Sequence, residues 1–372
     1  MRLNRIVVAL TFALLAAFAV PIQAHPPTGI VVDHAGNIYF SDLETIWKFD
    51  LNNKLSIFRQ GVSGRHVHEL AIDEQDNIYG GDYSYESAKF ISAIWKMSPD
   101  GKFEYLLEPT ANPPAGLSIW RDREGNTYTV DQNNHTKTQT LLLRRAPDGK
   151  VTTVAGGAYG YADGKGTAAR FSSVGNIGFG PEGDLFVTDG ATVRRVSRDG
   201  TVVTVANHLD ARTTEDKPLV FVDGGQNLTG IAVDASRNAY VADSNNRRLL
   251  KIDAAGKVSV LLRTDPPFFP NGVFVGRNGE IYVLEVGLAL PSSWSGPRVR
   301  RITPAGENTI LVTIGAENRN ASSTSPAFQP AAPPSVKGSK LISPGTLKYG
   351  AVIIGAIVLG TCAMIWKRRK RS

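Results

Sequence analysis

The feature that most constrains this chain is a fourteen-residue pattern that occurs six times without a gap. GIVVDHAGNIYFSD opens at Gly29, ELAIDEQDNIYGGD at Glu69, SIWRDREGNTYTVD at Ser118, NIGFGPEGDLFVTD at Asn176, GIAVDASRNAYVAD at Gly230 and GVFVGRNGEIYVLE at Gly272. The copies start 40, 49, 58, 54 and 42 residues apart, so each unit is long enough for a small sheet. Every copy reads as a short apolar strand, a polar turn that usually carries Gly, and an alternating strand with an aromatic near its start and an acid at its end. A third strand follows in each unit, as IWKFD, IWKMS, LLRRA, VRRVS, LLKID and VRRIT, with a base at one register: Lys48, Lys96, Arg144, Arg195, Lys251 and Arg301. A turn such as PDGK or PAGE then leads into a fourth strand, as in VTTVA at Val151 and VSVLL at Val258.

Four antiparallel strands repeated six times predict an all-β, six-bladed β-propeller over residues 25–315, with sheets packed face to face around a central channel. The period of two excludes a helical solenoid, and a β-sandwich would not explain the recurring unit. DGKVTTVAGG, YADGKGTAARF, GPEGDLFVTD and VRRVSRDGTVVTVA follow one another in an order and spacing that resemble the bacterial NHL repeat. That resemblance covers essentially the whole predicted propeller. In the sixth unit, FPNGVFVGRNGEIYVLE is also similar to a segment of gluconolactonase-like and strictosidine-synthase-like propellers. Such resemblances imply a fold, and one scaffold hosts many activities.

The two ends carry a different message. Residues 1–24 place Arg2 and Arg5 before an apolar run that ends in Ala24, the layout of a cleaved secretory signal. Residues 316–346 are rich in Ala, Ser, Pro and Asn, too poor in apolar surface to fold, and are expected to form an extended stalk. A transmembrane helix is predicted over 347–366, where Tyr349 to Trp366 has no charged residue and is bounded by an interfacial aromatic at each edge. The basic tail 367–372 follows at once and marks the cytoplasmic side, which leaves the propeller outside a cell membrane on a single-pass anchor.

The net charge of +7 is located entirely at these ends. Arg2, Arg5 and the run Lys367 to Arg371 supply the whole excess, so the rest of the chain balances its 34 acids with as many bases. A basic nucleic-acid-binding surface is therefore not expected. The one cysteine, Cys362, lies inside the predicted span, so the exported domain must hold together through its core without a disulfide. The chain has no nucleophile elbow, P-loop or dinucleotide-binding glycine motif.

Loop length then separates the two ends of the sheets. The segments Tyr83 to Ala93, Gln132 to Leu141, Gly156 to Ser172, Asn207 to Leu228 and Val286 to Arg298 are long, and all fall at the second-to-third or blade-to-blade connections. A rigid scaffold with variable loops at one end binds there. The acids Asp42, Asp82, Asp131, Asp189, Asp243 and Glu285 recur at one register, as structural residues do, and are expected to pair with the recurring base of the next strand. The irregular blade openings are more informative. Where the first and fifth blades begin Thr-Gly, the second has His68-Glu69, the fourth Gly175-Asn176 and the sixth Asn271-Gly272. We take His68, Glu69, Asn176, Asn271 and Glu285 as the candidate ligand-binding set at the channel mouth.

The resemblance to gluconolactonase-like propellers implies a divalent cation, Ca²⁺, held by oxygen ligands at blade openings. Asn271 in the run PNG matches that family's motif, Glu69 and Asn176 match by position, and no blade-opening Asp completes the set. His66, His68, His135 and His208 form a weaker alternative for Zn²⁺, unsupported by any family motif. Two functions follow: a recognition module that binds a protein, glycan or small ligand, and a divalent-metal lactone or ester hydrolase in which Glu69, Asn176 and Asn271 hold the metal.

Overall fold

The polar turn between the first and second strands shows why the pattern repeats. In the computed structural model, which describes residues 26–132, 137–217, 228–289, 293–315 and 318, four copies of this turn form the same clamp. Asp33 accepts hydrogen bonds from the Asn37 backbone N–H and side-chain amide, both at 2.8 Å, and from the Tyr39 hydroxyl at 3.0 Å. Asp73, Asp122 and Asp234 take the same three donors from Asn77 and Tyr79, Asn126 and Tyr128, and Asn238 and Tyr240. The carboxylate fixes the turn and anchors the following strand in one step. Burial and the adjoining carboxylate push the Tyr79 and Tyr240 hydroxyls up to about 12, so these phenols remain neutral donors. The sixth blade substitutes a shorter clamp, with Asn278 and Tyr282 donating to Glu280, and the fourth has Phe186 in place of the tyrosine.

From these turns the six sheets follow in chain order. The first contains β1 (Ile30–Val32), β2 (Ile38–Ser41), β3 (Ile46–Phe49) and β4 (Leu55–Arg59), and the second β5 (Leu70–Ile72), β6 (Ile78–Glu86), β7 (Lys89–Met97) and β8 (Phe103–Thr110). The third contains β9 (Thr127–Gln132), β10 (Gln139–Arg145) and β11 (Val151–Ala158). The fourth adds β12 (Gly164–Lys165) outside β13 (Val174–Phe179), β14 (Leu185–Asp189), β15 (Thr192–Val196) and β16 (Thr201–Ala206). The fifth is β17 (Leu228–Val233), β18 (Ala239–Asp243), β19 (Arg248–Ile252) and β20 (Val258–Arg263), and the sixth β21 (Phe268–Val275), β22 (Ile281–Ala289), β23 (Ser293–Ile302) and β24 (Asn308–Thr313). Neighbours within each sheet are antiparallel. The first strands of adjacent blades touch, as β13 does β17, β17 does β21, and β1 does both β5 and β21, so they line the centre of the ring. This is an all-β, six-bladed propeller.

The third blade departs from the expected four strands. Its first segment makes a single backbone bridge to β9, Arg121 to Thr127, where the Tyr128 N–H donates to the Trp120 carbonyl at 2.9 Å. Pro113 and Pro114 supply no backbone donors just upstream. The Ser118 hydroxyl donates to the Tyr128 carbonyl and accepts from the Trp120 N–H, so a side chain takes over bonding that a ladder would make. The fourth blade compensates in the other direction. Its YADGKGTAARF segment folds into β12 and a short 3-10 turn, knitted by the buried Arg194 guanidinium, which donates to the Ala162 and Arg170 carbonyls, to Asp163 and to Asp189.

The recurring acids at the ends of the second strands are paired with residues other than the expected bases. Asp42 and Asp82 accept from the indole N–H of Trp47 and Trp95, each at 3.0 Å, and Asp82 also takes both terminal nitrogens of Arg59. Asp189 pairs with Arg194 at 3.0 Å, Asp243 with Arg248 at 2.8 Å, and Glu285 with Arg298 and Arg300. Apart from Arg59, which lies on β4, each of these donors stands one or three residues before the recurring base, and odd spacing on a strand means the opposite face. The recurring bases instead lie across from the clamp aromatics: Tyr39 is paired with Lys48 and Tyr240 with Lys251, with the ammonium 5.4 and 5.8 Å from the ring centre. Asp131 is exposed, and Leu143 holds the register of those donors in its blade.

Apolar clusters join every pair of neighbouring blades, including the sixth and first through Ile30, Phe40 and Trp47 against Tyr282, Leu284 and Val299. The cluster between the second and third blades is the smallest, with Tyr79, Ile94 and Ile119 as its buried residues among those described. The predicted leader, membrane helix and tail, and all of the predicted stalk except Asn318, lie outside the described residues. No helix among the described residues is long and apolar enough to cross a membrane. Because one carboxylate satisfies three donors in each clamp, Asp234→Ala is expected to destabilise the propeller by about 1–3 kcal/mol. Urea unfolding monitored by intrinsic fluorescence checks this.

Candidate functional site

Hydrogen bonds run from blade to blade around the mouth of the channel, and they decide what each candidate residue can do. The backbone N–H groups of Thr28 and Gly29 donate to the His68 carbonyl at 2.7 and 2.8 Å, and the Thr28 hydroxyl joins them at 3.2 Å. These bonds tie the first blade to the second. Gln132 ties the third to the fourth, donating to the Val174 carbonyl at 3.0 Å and accepting from the Val174 N–H at 3.2 Å. The Asn176 amide donates to the Thr229 carbonyl at 3.1 Å, and the Thr229 hydroxyl donates to the Asn271 carbonyl at 3.0 Å. Asn271 closes the ring by donating to the carbonyls of Pro26 at 3.0 Å and Pro27 at 2.7 Å.

Three of the five candidates are therefore committed to the scaffold. Asn271 is 1% exposed, and its side-chain oxygen accepts from the Ser244 hydroxyl at 3.1 Å. The Asn176 backbone N–H also donates to the Thr188 hydroxyl at 3.0 Å. Glu285 is fully buried against the guanidinium groups of Arg298 and Arg300 on the next strand. These residues share the belt or its flank, and no contact draws Asn176, Asn271 and Glu69 into one coordination shell.

Glu69 is different. It opens the innermost strand of the second blade and has no hydrogen bond or ion pair among the described residues. It keeps some contact with water yet is hemmed in by protein, as a group on a narrow channel is. Burial alone pushes its carboxyl from 4.5 up to about 7. Next to it stands Tyr83, whose phenol is raised by burial first and then by the nearby carboxylates of Glu69 and Asp82. The rings continue in both directions: His66 and His68 lie 5.9 Å apart, His68 and Tyr83 5.9 Å, and Tyr83 stacks on Phe90 at 5.7 Å. Tyr83 also bridges to His66 through the backbone, with N–H to carbonyl bonds in both directions at 2.8 and 2.9 Å.

Tyr83 was not in the sequence-derived set, although a signal for it exists. The second blade carries Gly80-Gly81 where other blades have larger pairs such as Phe40-Ser41 or Val187-Thr188. A β-carbon on Gly81 would come within 2.8 Å of the Tyr83 hydroxyl, so the missing side chain makes room for the ring. Of the histidines, His135 lies outside the described residues, and His66 and His68 are neighbours without a third ligand. Among the described residues no group of three or more His, Cys, Asp or Glu side chains could hold a metal ion. Ca²⁺ takes about six to eight oxygens; the Asn271 side-chain oxygen already accepts from the Ser244 hydroxyl at 3.1 Å, and the N–H groups of both amides hold backbone carbonyls.

No family model and no curated protein matches the chain. Solved structures similar to it include a luciferin-regenerating enzyme, with 16% identity, 76% of this chain and 93% of the other covered, and a TM-score of 0.47. A gluconolactonase from Xanthomonas campestris matches at 13% identity over 70% of this chain and 83% of its own, with a TM-score of 0.45. Virginiamycin B lyase from Staphylococcus aureus matches at 12% identity over 78% and 85%, with a TM-score of 0.40. The six-bladed assignment rests on this chain's own strand pairing.

Two outcomes follow from this geometry. Glu69 is protonated in both folded and unfolded chains below its unfolded value, so stability is full there, and it is lost as pH rises through about 7, where the buried group must ionise. Glu69→Gln should remove that slope, which is on the order of 3 kcal/mol between pH 4 and pH 8; denaturant midpoints of both proteins at the two pH values measure it. At the ring closure, a β-carbon on Gly272 would fall 2.1 Å from the Thr28 carbonyl oxygen. Both Asn271→Ala and Gly272→Ala should therefore lower the unfolding midpoint equally with and without added Ca²⁺, the first by about 1–3 kcal/mol.

Proposed function

We propose that this chain is an NHL-type propeller carried outside a cell membrane on a single C-terminal anchor, and that it works as a recognition module whose channel mouth binds a small ligand or a segment of a partner protein. The observation that carries this reading is the division of labour among the polar blade-opening residues. Asn176 and Asn271 spend their amides on the ring, and Glu285 is neutralised by two arginines. Glu69 alone among the five has its carboxyl unengaged by the described residues, beside the rings of His68 and Tyr83 and at the end of the sheets where the long β6–β7 hairpin projects. An unsatisfied polar group in a concave, partly apolar setting is how a ligand site differs from a structural one.

The second reading is a divalent-metal lactone or ester hydrolase with Ca²⁺ held by oxygens of Glu69, Asn176 and Asn271, of which the Asn271 side-chain oxygen already accepts from the Ser244 hydroxyl. Metal analysis of the purified full chain separates the two. The recognition reading expects no stoichiometric Ca²⁺ or Zn²⁺ and no lactone hydrolysis; tight Ca²⁺ together with hydrolysis that vanishes in Asn271→Ala would overturn it. The anchoring is tested apart from the site. Protease added to intact cells should digest the propeller and leave a C-terminal tag protected, and digestion of the tag instead would reverse the topology.

A further inference from the structure

The belt of donors around the channel mouth is broken in kind at one place. Thr28, Asn176, Thr229 and Asn271 each offer a proton to a carbonyl of the following blade. In the second blade the residue aligned with Thr28, Thr229 and Asn271 is His68, and Glu69 follows it at the register of Gly29, Asn176, Gly230 and Gly272. Unlike Asn176 at that register, Glu69 makes no hydrogen bond to the following blade among the described residues, and at this junction the apolar cluster is also smallest and the first strand makes a single backbone bridge.

The positive groups nearby do not neutralise it. Arg59 gives both terminal nitrogens to Asp82, at 2.8 and 2.6 Å, with the two side chains only 3% and 4% exposed. Its guanidinium lies 4.7 Å from the Trp95 ring centre, so it is fixed on its other face as well. Arg65 leans the opposite way, toward Glu86 at 3.9 Å. The neighbourhood of Glu69 includes a run of aromatic rings: His68 precedes it in sequence, and His68 and Tyr83 belong to the series from His66 to Phe90, which is 60% exposed on the hairpin.

We propose that the mouth of the channel at the second blade binds the cationic head of an organic amine, with the Glu69 carboxylate as counter-ion and the Tyr83 and His68 rings as walls. This rests on the reading of the channel mouth as the ligand site. A single carboxylate flanked by ring faces suits a large, weakly hydrated cation, because the negative face of an aromatic ring attracts an ammonium without supplying a lone pair. A divalent metal needs several oxygens at once, and among the described residues no group of three or more His, Cys, Asp or Glu side chains gathers to hold one. A neutral sugar would need donors and acceptors in number around it, whereas Glu69 contributes acceptors only.

The test is isothermal titration of the full chain in detergent with choline, with n-butylammonium, with the uncharged choline isostere 3,3-dimethylbutan-1-ol and with CaCl₂. Saturable binding of at least one ammonium probe is expected, weakened at least tenfold by Glu69→Gln and several-fold by Tyr83→Leu, with the uncharged isostere at least tenfold weaker. Unfolding midpoints at pH 5 confirm that each variant is folded, and Tyr83→Leu decides the matter if Glu69→Gln is not. The proposal is overturned if neither ammonium binds, if the isostere binds as well as choline, or if Ca²⁺ binds and displaces choline from the wild type with greater affinity. Glu69→Trp distinguishes the two levels of inference. If this plugged variant loses an uncharged ligand that the wild type binds, the channel-mouth reading survives and the cation falls; if it binds every probe as the wild type does, both fall.

Discussion

A propeller in which each sheet is built from one uninterrupted stretch of chain must close its ring without a shared strand. Here β1 to β4 all come from the start of the domain and β21 to β24 all from its end, so no ladder of backbone hydrogen bonds runs between the first and last blades. Closure depends on side-chain packing around Trp47 and Leu284 and on one amide, Asn271, holding the two prolyl carbonyls ahead of β1. Proline has no N–H, so the segment at Pro26 and Pro27 can enter a ladder only through its carbonyls. A primary amide supplies two donors, which matches that need. Gly272 lets the two backbones approach closely enough for the match to work.

The same logic runs around the channel and fails at one junction. Between the second and third blades the apolar cluster has three buried side chains among the described residues, the first segment of the third blade makes a single backbone bridge with a serine hydroxyl bonding beside it, and the blade-opening side chain of the second blade is an acid. These separate observations put the smallest interblade cluster among the described residues at the blade that carries Glu69. Ligand sites are drawn from the less stable parts of a fold, because ordering on binding needs a part that is not already fully ordered. The strongest part of the ring lies across the fourth and fifth blades, where Arg194 and Arg248 each pair with an acid of their own sheet and an acid of the preceding loop, Asp163 and Asp216.

Much of this was legible in the sequence. The period of two, the aspartate turns and the six ungapped copies required the six blades, because turn chemistry and strand alternation are local properties. The pairing of the recurring acids was not legible in the same way. Asp189 meets Arg194 and not Arg195, and the bases at Lys48 and Lys251 belong to the tyrosine clamps. One residue of register changes the face, and register is set by where bulges fall in three-dimensional pairing. The third blade's lost strand had a local cause in Pro113 and Pro114, yet repetition in its neighbours outweighed it. Among the site residues, sequence singled out the polar blade openings and could not say which were already bonded. Tyr83 was hidden because aromatic residues are common on strands, while the Gly80-Gly81 pair that accommodates it was visible.

Asn176, Asn271 and Glu69 look alike in a sequence, as polar residues interrupting a Thr-Gly rule, and their different fates follow from hydrogen-bond chemistry. An amide donates and accepts, so at a junction between innermost strands it can reach a carbonyl of the next blade and become part of the frame. Threonine does the same with one proton. An ionised carboxylate only accepts, and Glu69 finds no donor among the described residues. Burial without a partner is what raises its carboxyl to about 7. A scaffold keeps such a group at a cost in stability, and glycine or asparagine, which stand at this register in four of the other blades, would remove that cost. On the proposed reading the choice of glutamate here separates binding from building, because it leaves the second blade a group whose partner a ligand can supply.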